Sequence, residues 1–487
     1  MSRLHSGFRS ISLSTENCLN IRLLKEIKVV RSYNCYLILG VVIWSLSSTV
    51  GADDLQKKTK TLELDLKSAV RLALEKSPLL SEAQAGVKIS KSDYRSSLAA
   101  ILPNISGDVS QARKVINLQT TGIPSVFPGN SLSNFPDFAS IEKVGPFNVF
   151  DARANIDEVF LDFEALYDIR ARKSGIIASK HSFDNIRQLV QTNTVAAYID
   201  VLRLDAELRK TQSDVKTSKV LLNQAEDLLK GGMATELDVK RARVQLQNDE
   251  QALLESENNV KIALMFLAKT IGISPSTSIT LEDRLKFEQV IRRPLEDLVG
   301  LAFQKRSDLL SLKANEKKIA LLIKSAQAEP LPKLGVHADY GASGLTIADS
   351  VIPTWSILGF MRIPIFTGGR TLANIARARS QLTQIQSQVY DLRNQIEFEV
   401  RSAVLSLNSS AKQVDVARAG VDLADDSLSL SRDRFESGFT DNVEVVIAQN
   451  DLARARENLI RALFNYNDAR VSLAKAIGDI TLVYELK

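Results

Sequence analysis

Cysteine is nearly missing from this 487-residue chain, and its two copies, Cys18 and Cys35, both lie in the first 52 residues. The rest therefore holds no thiol nucleophile, no thiolate metal site and no disulfide. Histidine is as scarce: past residue 52 only His181 and His337 remain, so a histidine metal cage or a histidine-dependent triad lacks its parts. No phosphate-binding glycine loop is present, and four methionines are too few to line a copper path. The carboxylate pair Asp425-Asp426 sits in a heptad helix and reads as a solvated face. Catalysis, cofactors and metals thus have no residues to carry them. After the N-terminal segment no apolar run reaches the ~20 residues of a membrane-crossing helix, so any span has to be a closed barrel.

Net basic charge is also absent where it would count. The formal charge is +5, but Arg3, Arg9, Arg22, Lys25, Lys28 and Arg31 against Glu16 and Glu26 place +4 of it in residues 1–52. The remaining 56 basic and 55 acidic groups leave +1, without the surplus that phosphate neutralisation demands of a nucleic-acid binder. The same N-terminal residues read as an export signal. Lys25, Lys28 and Arg31 precede the apolar run Tyr36–Leu46, and Val50-Gly51-Ala52 forms a signal-peptidase site before Asp53. The basic stretch ahead of the run is long, which points to a downstream start near Val29 or Val30. Cys35 stands on the wrong side of the apolar run for acylation.

What the chain has in abundance is internal repetition. Leu66–Pro103 aligns without gaps onto Leu295–Pro332, and Phe160–Gly272 aligns onto Phe366–Gly478. The two registers differ by 23 residues, so the first copy carries an insertion between Pro103 and Phe160. Each copy holds a heptad hairpin. Thr194, Val201, Leu208, Val215, Leu222 and Leu229 step by seven, as do Val400, Leu407, Val414, Val421, Leu428 and Phe435. Val239, Leu246, Leu253, Val260 and Leu267 return along the first hairpin; Val445, Leu452, Leu459, Tyr466 and Leu473 return along the second. A sustained seven-residue period imposes left-handed supercoiling. The alanine seam Ala448, Ala455, Ala462, Ala469 allows close helix approach. Gly231-Gly232 and Ser437-Gly438 mark the turns, followed by the caps Thr235 and Asp441. The ascending helices, 163–230 and 370–436, are each roughly 100 Å long at ~1.5 Å per residue.

Between the helices the period changes to two. Phe150, Ala152, Ala154 and Ile156 alternate with Asp151, Arg153, Asn155 and Asp157; Leu334, Val336, Ala338 and Tyr340 alternate with Gly335, His337, Asp339 and Gly341. Trp355, Ile357, Met361, Ile363 and Ile365 share one parity, and Ile105, Val109 and Val115 make a weaker fourth strand. An apolar face opposite a charged one is what a lipid-facing, water-filled barrel requires. Four strands are too few to close one, so symmetric association has to cover the edges. Segments 116–147 and 342–354 become surface loops. The expected division is a signal peptide over 1–52, a first repeat over 53–290 (strand pair about 103–160, hairpin 163–272), a second over 291–480 (strand pair about 332–366, hairpin 370–478) and a tail over 481–487.

In this order, and duplicated, these features resemble the TolC-type outer-membrane efflux protein family across nearly all of residues 62–480. The carrying residues are Leu102-Pro103, Leu331-Pro332, Ile363-Pro364-Ile365-Phe366-Thr367-Gly368-Gly369-Arg370 and the turns Gly232-Met233 and Gly438-Phe439. The resemblance implies a mainly α fold with a small β part: a homotrimer with a twelve-stranded barrel in outer-membrane lipid, four strands per protomer, continued by a periplasmic α-barrel. It implies an exit duct for small toxic molecules, drugs or secreted polypeptides, fed by an inner-membrane pump, proton-driven or ATP-driven, through a periplasmic adaptor. It places Gly232, Met233, Gly438 and Phe439 at the adaptor contact and Asp238, Asp441 and Glu444 at the periplasmic entrance. The chain departs from the best-known members at Ile447, where a second acid is absent, and at Thr440, where a basic gate partner is absent. The alternative function is a soluble periplasmic coiled-coil adaptor or scaffold, which also uses long hairpins but has no need of the strand parity.

Overall fold

The computed structural model describes residues 62–117, 143–288, 293–349, 351–437, 439–440 and 442–484. The segment expected to be a signal peptide, with both cysteines, most of the segment expected as the first surface loop, Gly438, Asp441 and the last three residues lie outside the described set.

Each repeat opens with two short helices end to end. In the first these are α1 (Leu66–Lys76) and α2 (Pro78–Leu98). Asp65 starts α1 by accepting from Ser68 N at 3.0 Å, and Pro78 at the first position of α2 exploits a site whose N–H has no helical partner. Strands β2 (Asn104–Asn117) and β3 (Lys143–Leu161) follow, then α3 (Phe163–Lys230) and α4 (Glu236–Ile271) as an antiparallel hairpin. The second repeat runs α5 (Leu295–Lys305), α6 (Ser307–Ala328), β5 (Lys333–Gly344), β6 (Ile352–Arg362), α7 (Arg370–Glu436) and α8 (Asn442–Ile477). A short helix α9 (Thr481–Tyr484) ends it, and β1 (Leu62–Leu64) pairs in parallel with β4 (Ile279–Leu281) beside the helices.

The duplication extends to its joints. Gly272 and Gly478, aligned in the two copies, both end their helices at positive φ, 87° and 80°. A side chain at Gly272 would strike Lys76 O at 2.8 Å, and one at Gly478 would press on Arg306 N and Cα at 3.2 Å. Each descending helix thus ends against the break between the two short helices of its own repeat, an approach and a backbone angle that only glycine satisfies cheaply.

The heptad positions are the helical core. Thr194, Val201, Val215, Val239, Leu246 and Leu267 are buried in the first hairpin, and Val400, Val414, Leu428, Phe435, Val445, Leu452 and Tyr466 in the second; Ala448, Ala462 and Ala469 are buried with them. The seam loosens toward the first tip, where Leu229 is 37% exposed. α3 packs against α2 and α4 on one side and α6 and α8 on the other, with α7 beyond them. The α2/α4 column and α7 are therefore the lateral edges.

The sheet has the order β2-β3-β5-β6, all antiparallel. Its strands are longer than the sequence pattern indicated. Segment 342–354, expected as a loop, contributes residues 342–344 to β5 and 352–354 to β6, because paired backbone continues where side-chain alternation fades. At the other end β6 stops at Arg362, so Ile363 and Ile365 keep the parity without the pairing, Pro364 between them having no N–H to offer. Gly341 admits a crowded neighbour: a Cβ there would lie 2.4 Å from both Ala152 O and Arg153 Cβ. Gly341→Val is expected to abolish folded protein, whereas Gly359→Ala, with nothing within 4 Å, should leave yield and melting temperature within a degree or two of the parent's.

Candidate functional site

Backbone register separates the sheet into two chemically different faces. On one, successive rungs across the four strands read Ile105–Ile156–Ala338–Ile357, Gly107–Ala154–Tyr340–Trp355 and Val109–Ala152–Ala342–Pro353. On the other they read Asn104–Asp157–His337–Leu358, Ser106–Asn155–Asp339–Ser356 and Asp108–Arg153–Gly341–Thr354. The apolar face is bare: Trp355 and Ile357 are each 70% exposed. A bare apolar surface of this extent is a liability in water and an asset in lipid.

The polar face is knitted together. Arg153 bonds Asp151 at 2.7 Å and also Asp339, which accepts from Ser356 as well. Asn155 donates to Asp108 at 2.6 Å, and His337 Nδ1 lies 2.7 Å from Asp157. These groups satisfy one another laterally, which holds the strands in register while leaving a hydrophilic wall. Sequence parity found the faces. It did not find this lateral network, because the cross-strand partners are 17 to 186 residues apart along the chain.

The hairpin turns present the other candidate residues. Met233 is 72% and Phe439 80% exposed, each at the turn of its own hairpin. Gly232 has φ +73° with open space where a side chain would stand, and Met233 N closes the turn on Leu228 O at 2.8 Å. Phe439 N does the same on Arg434 O at 2.9 Å. Asp238 is buried in a capping box: its carboxylate accepts from Thr235 N at 2.9 Å and Thr235 Oγ1 at 2.6 Å, while Thr235 caps α4 in return. Glu444 is freer. It accepts from Thr440 Oγ1 at 2.6 Å and lies 3.6 Å from Arg434 Nε. A cation does stand beside Glu444, then, supplied by the ascending helix rather than by position 440. A ten-residue separation across the turn hid it from periodicity, which sees only one helix at a time. Gly438 and Asp441 lie outside the described residues.

Among the described residues no helix is long and apolar enough to cross a membrane, and no His/Cys/Asp/Glu group is arranged to hold a metal ion. Residues 298–479 match the family model described as outer membrane efflux protein. Over those residues the chain is similar to that family. Among relatives, it is 24% identical over 424 residues to outer membrane efflux protein BepC of Brucella suis, covering 85% of this chain and 86% of that one. It is also 24% identical over 441 residues to outer membrane protein OprJ of Pseudomonas aeruginosa, covering 88% and 86%. In fold it is similar to the crystal structure of the outer membrane protein VceC from Vibrio cholerae, with a TM-score of 0.71, 18% identity, and 85% and 96% of the two chains covered. The mostly helical chain with its small sheet is thus the fold of such channels.

Proposed function

We propose that three copies of this chain close into one duct, with a twelve-stranded barrel in the outer membrane and a periplasmic tunnel of helical columns below it. The observation that carries this is the four-stranded sheet, apolar on one face and hydrogen-bonded polar on the other, ending in two open edge strands, β2 and β6. Edges of that kind invite pairing with another strand, and a second copy offers β6 to β2. The helices support the same closure. α7 carries a second apolar stripe, Phe398, Leu405, Val416, Leu423 and Leu430, pointing away from its buried one; the opposite edge exposes Val244, Leu254, Ile262 and Phe266 on α4. Three-fold closure sets one stripe against the other and buries both. Heat-sensitive trimers that resist carbonate extraction are the expected state of the native protein; a soluble monomer would sink the reading.

On this reading the duct is passive and completes a tripartite export assembly with a periplasmic adaptor and an inner-membrane pump, which supply energy and choose the cargo, whether small toxic molecules or secreted polypeptides. Gly232, Met233, Gly438 and Phe439 meet the adaptor, since exposed apolar side chains on glycine turns are the part of the hairpins built for contact. Asp238, Asp441 and Glu444 ring the entrance, with Glu444 the main carboxylate because Asp238 is also tied to its cap. Repeated around three copies, they favour cations by field focusing. Glu444→Gln is expected to lower the cation-to-anion permeability ratio in planar bilayers by several-fold and to weaken divalent block. Asp238→Asn adds less current change and costs about 1 kcal/mol of helix stability through its cap. Unchanged selectivity and block in the double variant would remove the entrance role from both.

A further inference from the structure

The duplication lets a contact inside one chain stand as the template for a contact between chains. Strands β2 and β5 both start directly after the aligned prolines, Pro103 and Pro332, so Asn104 matches Lys333. The first rungs agree with this: Asn104↔Asp157 opens the pair β2–β3, and Lys333↔Arg362 opens β5–β6. Asp157 therefore matches Arg362. The one-residue difference from the helical alignment is taken up in Ile363–Ile365, past the end of β6.

With the two strand pairs superposed, the inner seam β3–β5 prescribes how β6 meets the β2 of a second copy. Asp157↔His337, Ile156↔Ala338 and Phe150↔Gly344 translate into Arg362↔Asp108, Met361↔Val109 and Trp355↔Val115. The helices carry the same asymmetry. α6 packs between α3 and α7, whereas its counterpart α2 packs on α3 and keeps a side for the next copy's α7.

Charge singles out this register. Asp108 stands opposite Arg153, but that guanidinium is committed to Asp151 and Asp339. Among the described residues Asp108 has no ion-pair partner and accepts from the Asn155 amide at 2.6 Å. Arg362 likewise has none, its guanidinium lying 6.0 Å from the Phe360 ring centre. The two are of polar parity, on the opposite open edges of one sheet. An odd slip would turn one strand's polar side chains outward. A slip of two residues would set Arg362 against Ser106 or Ser110 and leave both charges unmatched. Arg113 falls beside Ile357, with a stem long enough to carry its charge toward the loop end.

We propose that β6 of each copy pairs with β2 of the next in the register Arg362↔Asp108, with an ion pair between those two side chains at every seam. This rests on the trimeric barrel proposed above and adds the alignment in which its edges close.

The full chain suits a disulfide test, having no cysteine beyond Cys35. Directly opposed residues of antiparallel strands have Cα atoms ~4.5–5.5 Å apart, within disulfide reach, and positions two residues off lie outside it. After mild oxidation of membranes, Arg362→Cys with Asp108→Cys should run as covalent trimer on heated non-reducing gels and as monomer once reduced. Met361→Cys with Val109→Cys, which keeps both charges, should link likewise. Arg362→Cys with Ser106→Cys or Ser110→Cys should link several-fold less. Stronger linking by a slipped pair, or unheated trimer that neither matched pair links, would overturn the register. For the ion pair, Arg362→Gln and Asp108→Asn should each lower the temperature at which trimer dissociates by several degrees, and the double variant little further. Strictly additive losses would remove the ion pair. A parent that forms no trimer would instead strike the barrel reading, a failure visible before any variant is made.

Discussion

Ile357→Arg should leave no heat-resistant trimer in the outer membrane. Ile357 stands on the rung Ile105–Ile156–Ala338–Ile357, inside the apolar face and 70% exposed in the single chain. A cation on a lipid-facing strand costs ~2–4 kcal/mol at the bilayer midplane, and a three-fold assembly incurs it three times, roughly 6–12 kcal/mol, comparable to the whole stability of a folded domain. Ser356→Arg, one residue earlier, points to the hydrophilic face beside Asp339 and should still assemble. Gel mobility of unheated membrane extracts distinguishes the two. If both variants assembled alike, the apolar face would not be the lipid face.

The second large effect is expected far from the sheet, at Arg306. This residue sits at the break between α5 and α6, with its side chain 12% exposed, and forks onto Asp308 at 2.7 and 3.1 Å. The same guanidinium bonds Glu399 on α7 and reaches Ala476 O on α8 at 3.4 Å. One cation thereby ties the short-helix break to both long helices of the second hairpin. Burial by itself would favour a neutral guanidinium and raise the Asp308 carboxyl. The two carboxylates outweigh that at Arg306, whose pKa is raised, and Arg306 outweighs it at Asp308, which is held below the usual carboxylate value. Arg306→Ala strands two part-buried carboxylates and should cost about 3 kcal/mol, the low end for such a loss because Asp308 and Glu399 keep some solvent contact. The pH dependence follows in sign. A depressed folded-state pKa contributes stability that is complete above the ordinary carboxylate value of about 4 and disappears as pH falls through the lower, folded value. Thermal melts of the parent should therefore lose this contribution only on the acid side of about pH 4, and the Arg306→Ala melts should lack it at every pH.

How legible was this in the sequence? The helices and their turns were, because a heptad sustained for four or five periods leaves few alternatives, and Val201, Val400, Leu267 and Tyr466 are buried where the period puts them. The sheet's faces were too, since parity survives in Phe150–Asp157 and Leu334–Gly341. Other features were not. The pair β1/β4 is three residues a side, below the length at which alternation can be seen. The second stripe on α7 was hidden because an apolar residue looks the same in a sequence whether it faces its own core or a neighbour. The knot at Arg306 depends on Glu399, 93 residues away, and no local period reports such a pair. At the tips the same reasoning explains the division of labour: Asp238 and Glu444 align in the two copies, yet one is enclosed in a capping box and the other reaches across to Arg434.

On the proposed reading, trimers of this chain form one open path through the outer membrane and the tunnel below it. Single-channel recording from unheated, purified trimer in a planar bilayer tests it most directly. The prediction is discrete, long-lived conductance steps, one per inserted trimer, that favour cations and disappear when the trimer is heated to monomer before addition. Trimers shown to insert yet passing no current would contradict it, as would steps that persist unchanged from heat-dissociated protein.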